Sequence, residues 1–160
     1  MHPGIRTLFI AGTMFVLAAT PSIASAQRTP ASSPAPATPQ FILRGLDELR
    51  SDSAAAAIAT WTAAWKTPGD ASKAAGLLAS LQQIREMGGV PLGYDVVGTE
   101  AVGAHLRRVY VLLRYESQPL FAQFVAYSPD ERPAEGDWKL ATVTWNTTVT
   151  EAWPPSLWSR

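Results

Sequence analysis

The stretch Leu106–Tyr127, LRRVYVLLRYESQPLFAQFVAY, constrains this chain more than any other. Apolar residues alternate with others at period two on both sides of the polar Glu116-Ser117-Gln118 break. That is the pattern of two β-strands joined by a tight turn. With Ser117-Gln118 as a two-residue turn, Glu116 pairs with Pro119. The same register sets Arg114 against Phe121, Leu112 against Gln123, Tyr110 against Val125 and Arg108 against Tyr127. The opposite face then carries Val109, Val111, Leu113, Tyr115, Leu120, Ala122, Phe124 and Ala126. It has almost no polar atoms and is the core face. Ser-Gln lacks the Gly or Asn that two-residue hairpin turns favour. A loop changed by an even number of residues preserves both faces, whereas an odd change drives Gln123 and Tyr127 into the core.

Trp138–Thr147 reads as the next strand, after a polar loop over Ser128–Asp137. Tyr127 is expected opposite Trp138, Val125 opposite Leu140, Gln123 opposite Thr142 and Phe121 opposite Thr144. On the core side, Phe124 then meets Ala141, Ala122 meets Val143 and Leu120 meets Trp145. The non-core face is too apolar for plain solvent and too polar for a core. Arg108, Tyr110, Arg114, Gln123, Tyr127, Trp138 and Thr142 are its candidate binding or interface residues. Arg and Tyr are frequent anchors of such surfaces. The competing expectation is a half-solvated outer face of an ordinary sheet.

Upstream, the period is that of helices. Ile42, Leu46 and Leu49 follow i, i+4, i+7 spacing, and Ser51-Asp52-Ser53 interrupts the phase with residues suited to capping. A second helix is predicted from about Asp52 to Trp65, with the stripe Ala54, Ile58, Trp61, Trp65. Thr67-Pro68-Gly69 ends it. Asp70 is expected to cap a third helix carrying Ala74, Leu77, Leu78, Leu81 and Ile84, which Gly88-Gly89 terminates. Trp61 and Trp65 are expected in the core rather than as a stacking pair for a ligand. After Gly89 the period becomes two: Tyr94–Thr99 is a strand, and Thr99–Val102, between Gly98 and Gly103, is a bend or bulge. Trp153-Pro154-Pro155 cannot continue a central strand. Helices followed by antiparallel strands define an α+β domain: two to three N-terminal helices packed on one face of a curved antiparallel sheet of about four strands.

Residues 1–26 carry Arg6, an apolar run from Leu8 to Ala19 and an Ala24-Ser25-Ala26 ending. This is the pattern of a cleaved signal peptide, with cleavage after Ala26; the run is too short to span a bilayer. Residues 27–40, QRTPASSPAPATPQ, read as a Pro/Ala/Ser-rich linker, 41–150 as the folded domain and 151–160 as a tail. The chain has no cysteine, so no disulfide and no lipidated cysteine. A periplasmic or secreted location is expected. The chain holds 13 Lys+Arg and 13 Asp+Glu; without Arg6 the balance is 12 against 13, a net −1. Such neutrality supplies no attraction to nucleic acid or anionic lipid, and no stable membrane insertion is expected after cleavage.

No G-x-S-x-G, H-E-x-x-H, P-loop or dinucleotide glycine fingerprint is present. No cofactor and no metal site are expected. Past residue 26, His105 is the sole histidine. Asp95, Glu100 and His105 surround the first strand and its bend, and are the only titratable residues placed where a pocket mouth could be. A buried carboxylate there could serve as a general base. Asn146-Thr147-Thr148 matches a glycosylation sequon on a strand, and is taken as incidental.

The segment GLDELRSDSAAAAIATW and the later GYDVVGTEAVGAHLRRVYVLLRYESQPLFAQFVAYSPDERPAEGDWKLATVTWNTT resemble the nuclear transport factor 2-like superfamily, which includes ketosteroid-isomerase-like and SnoaL-like proteins. The second segment is also similar to small exported bacterial proteins. The resemblance covers residues 41–148 and is one of pattern. It implies a cone-shaped fold, a pocket between helices and concave sheet, and dimerisation through the sheet. Enzymatic members place an Asp or His in that pocket. Here the core face offers Tyr115 and Trp145, and the chain has fewer long strands than fuller members. The leading expectation is a non-enzymatic exported domain that binds a small apolar ligand or a partner protein, as a homodimer. The alternatives are a ketosteroid-isomerase-like or SnoaL-like enzyme using Asp95, Glu100 or His105, and a structural envelope protein.

Overall fold

The computed structural model describes residues 35–157; the expected signal peptide, the start of the expected linker and the end of the expected tail lie outside them. Three helices come first: α1 (Gln40–Arg50), α2 (Ala54–Thr62) and α3 (Asp70–Gly88). A four-stranded antiparallel meander follows, β1 (Pro91–Val102), β2 (Leu106–Tyr115), β3 (Pro119–Tyr127) and β4 (Lys139–Asn146), in the spatial order β1-β2-β3-β4. The short α4 (Val149–Ala152) and a 3-10 turn, Pro155–Leu157, close the described chain. The α+β class read from the sequence is the class observed.

The helix stripes bury as their spacing predicts. Ile42, Leu46 and Leu49 of α1, Ala57, Ile58 and Trp61 of α2, and Leu81 and Ile84 of α3 share one core with the sheet. Trp61 is the pivot. Its ring stands edge-on to Phe124 at 4.9 Å, its N–H donates to the Ile42 carbonyl at 3.2 Å, and it rests on the bare Cα of Gly45, where a Cβ would overlap the indole. Between α1 and α2, Asp52 takes a left-handed backbone (φ 60°), a conformation Asp tolerates better than most residues. The α2 helix ends at Thr62, short of the predicted Trp65. Asp70 opens α3 as its first residue rather than its cap. Its carboxylate accepts the Thr67 N–H at 2.7 Å and faces the helix N-terminus. Gly89, at φ 84°, ends α3 and returns its N–H to the Arg85 carbonyl.

All eight residues assigned to the core face of the β2–β3 hairpin are buried. The register is Leu113 with Leu120, Val111 with Ala122, and Val109 with Phe124. It differs by two residues from the one predicted, because the loop is Tyr115–Gln118 rather than Ser117-Gln118. The end of β2 is drawn elsewhere: Glu116 N–H bonds to the Val90 carbonyl, Ser117 N–H to the Gly88 carbonyl, and the Glu116 carboxylate accepts the Val90 N–H. The shift is even, so no side chain changes face.

The β3–β4 pairing departs further. It runs Phe121 with Asn146 to Val125 with Thr142, then slips, so that Ala126 pairs with Leu140 and Tyr127 with Lys139. Ala141 is the extra residue of a β-bulge. Trp138 and Leu140, expected on the outer face, are therefore turned into the core, and Ala141, expected inside, is exposed. Arg107 stacks on Trp138 at 4.1 Å and donates to the Ala37 carbonyl at 2.8 Å. With Pro39 buried and Thr38 bonded to Thr99, the last residues of the predicted linker lie against the sheet. The β1 strand is also longer than predicted. Its irregularities fall at Leu92 and Val97, and it pairs with β2 through Val102, the reversal being at Gly103 (φ 68°).

Candidate functional site

Arg108, Tyr110, Arg114, Gln123, Tyr127 and Thr142 do lie on the face turned away from the helices, in register with Phe121 and Val125; Trp138 does not. That face has an occupant within the chain. Trp153, 7% exposed, sets its ring edge-on to Phe121 at 5.0 Å and donates its indole N–H to the Ala122 carbonyl at 3.1 Å. Leu157 reaches Gly98 of β1. Residues 149–157 thus cross the outer face from β4 towards β1. Tyr110 is only 3% exposed under this cover. A cavity of about 300 Å³ remains between Glu100, Arg108, Tyr110 and the Pro154–Leu157 turn. There the Tyr110 hydroxyl donates to Glu100 Oε2 at 3.1 Å, with Arg108 Nη1 3.8 Å from the same oxygen. Burial, and then the Glu100 bond, raise the Tyr110 phenol above its usual pKa. Arg114 pairs with Asp95 at 3.3 Å in the open, and Tyr127 is exposed at the far end of β3.

The three titratable candidates do not converge. Asp95 and Glu100 stand opposite Leu112 and Arg108, about 14 Å apart along β2 at normal strand rise. Each has its own partner, as above. His105 is exposed in the turn after β1, where its Nδ1 lies 3.2 Å from the Ser128 carbonyl. Among the described residues no cluster of His, Asp and Glu has the arrangement of a metal site.

Of the cavities that touch the helix layer, two are lined by α3. One, between α1, α3 and the sheet, measures about 230 Å³ and is lined by Leu49, Asp52, Leu81, Arg85 and Tyr115. It occupies the position where the resemblance implies a pocket, but small-molecule sites commonly occupy about 300–1,000 Å³. Arg85 closes it with a 2.5 Å bond to Asp52. Burial, followed by the Asp52 charge, pushes the Tyr115 phenol up to about 12.

The second is an open cleft of about 720 Å³ between α3 and β4. Trp65, Asp70, Lys73, Leu77 and Ser80 form one wall, and Ala141, Thr142, Val143, Thr144 and Trp145 the other. Trp65, just past α2, splits its role: its ring packs on the core, and its N–H donates to the Leu140 carbonyl at 2.7 Å. The Lys73 ammonium lies 6.0 Å above that ring and 3.2 Å from Asp70 Oδ1. Thr67, through its side chain and backbone N–H, and then Lys73 hold the Asp70 carboxyl below its usual pKa. Sequence reasoning assigned Trp65 to the core and Trp145 to the core face, and left Lys73 unremarked. The available signal was Trp65's place at the end of the predicted helix, beside the Thr67-Pro68-Gly69 break.

No protein-family model matches the chain, and no curated protein or solved structure matches it either.

Proposed function

We propose that this is a non-catalytic binding domain of the exported cell envelope, and that its site is the α3–β4 cleft. The observation that carries this reading is the cleft itself. At about 720 Å³ it is of ligand size, and it sets Trp65 and Trp145 beside threonine and serine hydroxyls and one ammonium. Amphipathic aromatic walls with a few polar groups suit recognition. The separation of Asp95, Glu100 and His105 favours binding over acid–base chemistry, which needs its groups within reach of one reacting atom. Export rests on residues 1–26. The order of three helices and a meander supports a distant tie to the nuclear transport factor 2-like class.

The test is native mass spectrometry of protein purified without denaturant, paired with the Trp145→Ala variant. Bound material on the wild-type chain, absent from the folded variant, is the expected result. Equal retention by both would remove the cleft from consideration.

A further inference from the structure

The cleft wall contributed by the sheet is five consecutive residues, Ala141–Trp145. Side chains of a strand alternate between faces, so neighbours in sequence can all line one cavity only when it runs along the strand's edge. The β4 strand is that edge, pairing with β3 on one side alone. An edge strand points alternate main-chain N–H and C=O groups away from its sheet. At the Leu140 end one carbonyl is already taken, by the Trp65 indole N–H across the groove. Beyond it, among the described residues, no group bonds to the outward main chain of Ala141–Trp145.

We infer that the cleft takes an extended peptide as a fifth strand on β4, with α3 as its outer wall; this rests on the cleft being the binding site. The free edge is about 17 Å long at normal strand rise, room for a segment of about five residues. Such strand addition draws affinity from main-chain bonds and selectivity from flanking side chains. Here the flanks are specific. Lys73 spends one N–H on Asp70, whose carboxylate also holds the Thr67 N–H, and keeps donors for a ligand anion. It stands over Trp65, at the Leu140 end. The peptide therefore carries an acidic side chain or its terminal carboxylate at that end, and an apolar residue beside Trp145 and Leu77.

The purified full chain is panned against a displayed random heptapeptide library, and the tightest peptide is then resynthesised with one N-methyl group at each main-chain nitrogen in turn. We expect amide-exchange protection within Ala141–Trp145. N-methylation should weaken binding about tenfold at every second position and leave the positions between little changed. Lys73→Glu should reverse the preference for the acidic end. Peptides insensitive to N-methylation, or a library yielding none tighter than about 1 mM, would overturn strand addition. If maltopentaose or another glycan quenches the tryptophans while no peptide binds, the cleft stands as a site and the peptide inference falls. Selected peptides that bind Trp145→Ala and Lys73→Glu as they bind wild type would remove both.

Discussion

The ring of Trp153 stands edge-on to that of Phe121, centroids 5.0 Å apart and planes at 85°. This contact, with the bond to the Ala122 carbonyl, pins residues 149–157 to the outer face of the sheet. Trp153→Ala should cost about 3 kcal/mol, the lower range for a buried aromatic truncation. Urea unfolding of this variant, with the exposed Tyr127→Ala as a near-neutral control, measures it. Equal midpoints for both variants would mean that the tail does not hold the face closed.

Trp61 lies on Gly45, with no room for a methyl group. Gly45→Ala should therefore destabilise by about 1–3 kcal/mol through overpacking, despite alanine's better helix propensity. Thermal unfolding distinguishes this from Gly76→Ala, where α3 has open space and the propensity gain should prevail.

Deleting Ala141 removes the bulge but keeps the register, since Ala126 already pairs with Leu140 and Val125 with Thr142. Plain alternation then leaves Trp138 and Leu140 in the core, with Arg107 still on its platform. The deletion should therefore fold, at a cost of about 0.5–3 kcal/mol, the ordinary range for a single change. Circular dichroism and urea midpoints of the deletion against Ala141→Gly, which keeps the bulge, read this; an unfolded deletion would mean that the bulge itself is required.

The Tyr115 phenol titrates at about 12 in the folded chain, against 10.0 for the unperturbed group. The unfolded chain thus loses this proton first, and between about pH 10 and pH 12 the folded state binds more protons. Stability should decline across that window as pH rises. Tyr94 and Tyr110 shift in the same direction, each chiefly by burial. Tyr115→Phe should flatten the decline without abolishing it, as followed by urea midpoints between pH 9 and pH 11.5. An unchanged slope would place the Tyr115 hydroxyl in water.

Period-two alternation in Leu106–Tyr127 carried the sheet, because face assignment depends only on parity. The hairpin loop is two residues longer than Ser117-Gln118, yet Val109, Val111 and Phe124 are where alternation puts them. A bulge breaks parity, and nothing in Lys139–Asn146 announces one: Ala141 is neither glycine nor flanked by turn residues. Hence Trp138 was assigned to the wrong face. The outer face was legible as one that needs cover, since Tyr110, Phe121 and Val125 are poor partners for water. Its cover was not, because Trp153-Pro154-Pro155 has no strand or helix period and only tertiary packing assigns it a place. The α3–β4 cleft escaped for a similar reason. It is made by Trp65, Lys73 and the edge of β4, which sequence spacing does not bring together.

Residues 149–157 follow the sheet in the chain, so they emerge after it during synthesis. Until they arrive, Phe121, Tyr110 and the rest of the outer face are bare, on a meander whose strand pairings are already complete. The nascent domain therefore passes through an interval in which it is hydrogen-bonded yet sticky. The length of that interval is set by how fast this segment is delivered rather than by how fast it folds.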